Sequence, residues 1–177
     1  MAYYIKINKE KGFSLIEILI VSAILVIMST IAIPALLRQR LNANERATIK
    51  SLKTLYLSLN SFAARNIQGG IAIFPANLDA LTANQIASPE PPYLDVAWSD
   101  AAGQIFRSGY QYSYRPFDSA DPDGTADRFW IDAIPAGYQS SGVRSFYVDE
   151  GGVVYGFDNA GIATGAYGIP AGWVAAE

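Results

Sequence analysis

The chain has 177 residues, a formal charge of −3, a hydrophobic content of 51% and neither cysteine nor histidine. That length holds one ordinary domain plus an extension, and the missing cysteines exclude a disulfide framework, a thiolate metal site and a lipoprotein anchor. Without histidine the commonest general base and the commonest metal ligand are gone; no Ser, Lys or carboxylate pair has a spacing that points to catalysis, so the chain reads as a non-enzyme.

Met1 to Gly12, MAYYIKINKEKG, is short, polar and basic, which is the composition of a processing segment rather than of folded structure. From Phe13 to Leu37 the chain is apolar for 25 residues, more than the roughly 20 that a helix needs to cross a bilayer core. Glu17 is the only charge in that run. A charged residue at mid-span costs about 2.5 to 3.5 kcal/mol on an insertion scale, and less near an end, so Glu17 is tolerable there but needs a partner or a purpose. An ordinary secretory signal has a shorter apolar core, free of charge, and a small-residue cleavage site after it. The three leader lysines nearly balance Arg38, Arg40 and Arg46, so the positive-inside rule does not orient the span.

Lys11-Gly12-Phe13-Ser14-Leu15-Ile16-Glu17 followed by a long apolar helix resembles the start of type IV prepilins and of type II secretion pseudopilins. In those families a prepilin peptidase cuts after the Gly and methylates the new N-terminus, and the Glu meets the terminal amine of a neighbouring subunit. The resemblance therefore implies cleavage between Gly12 and Phe13, N-methylation of Phe13 and an assembly role for Glu17. Independently of the family, removal of the leader would leave an ammonium on Phe13 within about a turn of Glu17, and such a pair interacts far more strongly in low dielectric than in water. Formed between chains, it would fix the register of adjacent helices.

Pro34 lies within the apolar run. Its ring removes one backbone hydrogen bond and crowds the preceding turn, so a kink or local melting is expected near residues 29–33, with Ser29 and Thr30 available to satisfy freed carbonyls. Beyond it the pattern becomes amphipathic: Leu41, Leu52, Leu55, Leu59 and Phe62 recur at helical spacings, the stripe of a helix laid on a domain. The helix is expected to end by Asn66, before Gly69-Gly70. From Phe13 that is a rod of about 81 Å at 1.5 Å per residue. The segment LLRQRLNANERATIKSLKTL also resembles the stem of pilins.

Between Ile71 and Pro92 the sequence reads as a loop with one short helix, Ala76 to Leu81, and Tyr93 and Trp98 read as packing aromatics. From Tyr110 the period becomes two. Tyr110–Arg115, Arg128–Ala133, Ser145–Val148 and Val153–Tyr155 are strand-like, and Asp149-Glu150-Gly151-Gly152 is a hairpin turn by composition. The expected fold is α+β, a long N-terminal helix packed on a roughly four-stranded antiparallel sheet. The expected segments are a leader at 1–12, a membrane and assembly helix at 13–37, a stem helix at 38–67 and a globular head at 68–177. VRSFYVDEGGVVYG resembles the end of many pilin heads. Many pilins also close a C-terminal loop with a disulfide; without cysteine this chain must hold that loop by packing or keep it short, and its Gly- and Ala-rich tail from Asn159 is either a loop folded back on the sheet or a mobile end.

Charge is unevenly spread. Six basic residues between Arg38 and Arg65 face Glu45 alone, whereas from Asn66 onward four arginines face thirteen acids. Basic stem and acidic head are either two solvated surfaces of opposite sign or complements between subunits, within the roughly 8 Å reach of screened charge. Asp118, Asp121, Asp123 and Asp127 offer oxygen ligands of the kind that Ca²⁺ prefers, but the run lacks the terminal acid of a twelve-residue loop, and turns use the same residues for backbone reasons. No other cofactor is indicated, and the acidic head argues against direct nucleic-acid binding.

The resemblance implies a structural subunit that is inserted in a bacterial inner membrane, cut by prepilin peptidase and polymerised by the pilus assembly machinery, with other copies, into an extracellular fibre for adhesion, motility or DNA uptake. The alternatives are a pseudopilin of a type II secretion system and a single-span, membrane-anchored binding domain.

Overall fold

A computed structural model describes residues 12–82, 91–99, 104–119 and 125–176. It divides into two compact units, one ending at Gln39 and the other beginning at Arg40. Helix α1, Leu15–Ala63, supplies the backbone of the first and opens the second.

In the first unit every described residue is exposed, including Leu15, Ile16, Leu19, Ile27, Met28 and Ile31. This helix segment is long and apolar enough to cross a membrane. Its few hydroxyls turn back onto their own helix: Ser22 Oγ donates to the Leu19 carbonyl at 2.9 Å, Ser29 Oγ to Leu25 at 2.7 Å and Thr30 Oγ1 to Ile27 at 2.7 Å. Such bonds remove the polar groups from competition with lipid. The helix runs on through residues 29–33 and past Pro34 without a break, so the expected local melting is absent. A proline forfeits a single intrahelical bond, and the turns on both sides keep theirs. Ser29 and Thr30 serve the carbonyls of Leu25 and Ile27, not the one that Pro34 frees.

In the second unit the helix buries a stripe at three- and four-residue spacing: Thr48, Ile49, Leu52, Leu55, Leu59 and Ala63. The helix ends at Ala63, and its last carbonyls at Phe62 and Ala63 both accept from the Asn66 N–H. Residue 67, expected as the last of the stem, belongs instead to strand β1 (Ile67–Gln68), which forms a small hairpin with β2 (Ile71–Ala72). The short helix that follows is a 3₁₀ turn, Leu78–Leu81, tighter and two residues shorter at its start than expected. Asn77 stops it by capping: its Oδ1 accepts from the Ala80 N–H at 3.0 Å.

The main sheet has six strands rather than four: β3 (Ile105–Arg107), β4 (Tyr110–Phe117), β5 (Arg128–Pro135), β6 (Ser145–Asp149), β7 (Tyr155–Phe157) and β8 (Val174–Ala175). They lie in chain order and all pair antiparallel. Strand alternation sets two faces. Phe129, Ile131 and Ala133 of β5 with Phe146 and Val148 of β6 join the helix stripe in the core. Asp132 and Tyr147, opposite each other in register, occupy the other face. The expected hairpin is present: the Gly152 N–H closes on the Asp149 carbonyl at 3.0 Å. Gly152 has φ +75°, and a Cβ there would come within 2.4 Å of the Tyr56 ring, so the turn requires glycine on both counts. Val153 and Val154, expected in the last strand, lie between this turn and β7, which begins at Tyr155. Trp98 is buried edge-on to Tyr112, and Phe62 meets Tyr93 edge-on, so both expected aromatics serve packing.

Candidate functional site

Gly12, Phe13 and Ser14 lie outside the helix, directly before its first turn. The Ser14 carbonyl accepts from the Glu17 N–H at 3.1 Å and from the Ile18 N–H at 3.3 Å, which opens the helical ladder. The Gly12–Phe13 bond thus lies on backbone outside the helix. Glu17 is the acid of the first turn, where a carboxylate interacts favourably with the helix dipole by about 0.3–1 kcal/mol. Ser14-Leu15-Ile16-Glu17 also has the spacing of a capping box, a start signal that hydropathy alone passes over. Among the described residues no cation lies within ion-pair distance of Glu17. Phe13 is 77% exposed, and Glu17 and the apolar residues that follow it are exposed as well. Phe13 and a carboxylate are therefore presented together at the start of one exposed apolar helix.

A second acid on the same helix does the opposite. Glu45, the lone acid of the basic stem, is buried. Its Oε1 accepts from the backbone N–H groups of Val143 (3.1 Å) and Arg144 (3.2 Å), and its Oε2 accepts from Arg144 Nε at 2.9 Å. Beside it Asn44 Nδ2 donates to the Ser141 carbonyl at 2.8 Å. The Tyr110 hydroxyl donates to the Arg144 carbonyl at 2.9 Å. Burial, then the Glu45 charge, pushes the Tyr110 phenol above its usual range. Gly142 lets this loop approach: a Cβ there would fall 1.9 Å from the Tyr110 hydroxyl. The helix is thereby latched to the loop before β6. Glu45 was legible only as the single acid among six bases.

The tail closes the other face of the sheet without a disulfide. Thr164 donates twice to Asp132 Oδ1, from its N–H at 3.2 Å and from its hydroxyl at 2.6 Å. The Gly168 N–H donates to the Tyr147 hydroxyl at 2.9 Å. Tyr167 packs on Phe117 and Trp130 and bonds to Glu150, which also pairs with Arg128 at 2.8 Å. Finally β8 pairs with β7, and the Ala176 N–H reaches the Val154 carbonyl at 2.7 Å. Burial raises the Asp132 carboxyl above its usual range, and the two Thr164 bonds oppose that shift.

Of the calcium candidates, Asp121 and Asp123 lie outside the described residues. Asp127 accepts from the Ser119 N–H at 2.6 Å and from the Ser119 hydroxyl at 2.9 Å, the geometry of a self-bonded turn. Among the described residues no three acids converge on a common point.

Residues 7–33 match the family model described as the prokaryotic N-terminal methylation motif, the signature of type IV pilin and pseudopilin precursors. No curated protein and no solved structure matches the chain.

Proposed function

We propose that the chain is the precursor of a type IV pilus subunit: a structural protein without catalytic function or cofactor, cut after Gly12 and N-methylated at Phe13. One observation carries this reading. The methylation motif at residues 7–33 coincides with an exposed apolar helix whose first turn holds Glu17, a carboxylate with no cation partner among the described residues. Before assembly the apolar segment sits in the inner membrane. On assembly it exchanges lipid for the same segment of neighbouring copies, and Glu17 meets the amine of an adjacent Phe13. Such a pair costs desolvation and returns register, while apolar packing supplies cohesion.

Mass spectrometry of the N-terminal peptide from purified filaments tests the proposal. Methylated Phe13 is expected; a peptide beginning at Met1 or Ala2 overturns it. Shearing intact cells separates a surface fibre, whose subunits are released, from the short envelope-bound piston of a secretion pseudopilin, whose subunits stay with the cells.

A further inference from the structure

Arg46, Lys50 and Lys53 follow one another at four- and three-residue spacing and are all exposed, so they share a helix face. Glu45, their only acidic neighbour on the stem, is turned to the sheet and consumed by Val143 and Arg144. Among the described residues none of the three cations has a carboxylate within ion-pair distance. Like charges at such spacings repel along a helix, and no carboxylate among the described residues relieves the repulsion.

We infer that this basic face seats the acidic head of a second copy, so that stem and head of neighbouring subunits pair by charge. The inference rests on the reading of the chain as a filament subunit. The complement is present in every copy: thirteen acids against four arginines from Asn66 onward. Lipid headgroups fit the face less well. Their charge is screened over about 8 Å, and Arg38 and Arg40 stand first in line after the apolar run ends at Leu37. Rim charges of this kind steer encounter and select register more than they add affinity.

The sequence supplies a direct test, because Lys50 and Lys53 are the only lysines after residue 12. A carbodiimide couples a lysine amine to a carboxylate only where the two touch, so sheared filaments of the unaltered protein are treated with it. The expected result is a ladder of linked subunits on a denaturing gel. Its junction peptides should join Lys50 or Lys53 to an acid of residues 66–177. Filaments that remain monomeric on the gel, or junctions confined to acids of residues 13–65, overturn the inference. The triple variant R46E/K50E/K53E checks the consequence: it should still be inserted and cut, with the sheared yield falling about tenfold. An undiminished yield overturns the inference. If wild-type cells release no filaments containing this chain, or the chain keeps its leader, the filament reading itself has failed, and that is seen before any cross-linker is added.

Discussion

Glu45 Oε2 accepts the Nε–H of Arg144 at 2.9 Å, with the carboxylate buried and the guanidinium side chain 41% exposed. A helix residue and a loop residue 99 positions later are joined by a charge that is hidden at one end and wet at the other. Glu45→Ala removes the acceptor of three donors at once. The loss is expected near 3 kcal/mol, the low end for breaking a buried pair, because Arg144 can rehydrate. Thermal unfolding of the variant should show it, with Glu45→Gln falling between the two. A variant as stable as the parent would mean that the latch contributes no net stability.

Glu17 has the reverse situation: it is exposed, and among the described residues no cation pairs with it. Glu17→Ala should leave membrane insertion and leader removal intact and block or weaken filament formation. Fractionation followed by shearing reads both. Normal piliation by this variant would remove the assembly role.

Gly12→Glu places a charged side chain at the residue before the proposed cut. Uncut precursor is expected, heavier by about 12 residues in intact-mass spectra, in line with the removal of a processing segment. Mature-size protein from this variant would exclude the Gly12–Phe13 site.

Asp132 gives a pH dependence with a defined sign. Its folded-state carboxyl is raised by burial, so the native chain holds this proton more tightly than the unfolded one. The favourable contribution is complete below the unfolded value of about 3.9 and is lost as pH rises through the raised folded value. Asp132→Asn keeps an acceptor for Thr164 without a charge to bury. It should match or exceed the parent in stability at neutral pH, and the advantage should vanish below about pH 4. Thermal melts across that range provide the measurement; an advantage that grows toward acid would refute the assignment.

The helix stripe and the central strands were legible because burial imposes a period. Leu52, Leu55 and Leu59 repeat as a helix does, and Tyr110 to Tyr114 alternate as a strand does. The two missed strands of the main sheet carry almost no pattern. β3 has three residues ahead of the Ser108-Gly109 turn, both at positive φ, and β8 has two residues in a tail of small ones. Periodicity needs length, and an edge strand held by a neighbour's backbone needs none. Gly12, Phe13 and Glu17 could be read because they break an otherwise uniform segment. The clasp of Asp132 and Thr164 could not, since it joins residues 32 apart that are ordinary in their own surroundings.

The strands of the main sheet follow one another in chain order. A chain made from its N-terminal end can therefore add each hairpin as it emerges, with no strand waiting for a later one to be inserted between its neighbours. Closure alone is deferred: Thr164, Tyr167 and β8 follow the strands they cover, so Asp132 and Tyr147 stay wet until those segments have been made. Synthesis and folding then share one direction, and the segment from Thr164 to β8 acts as the seal.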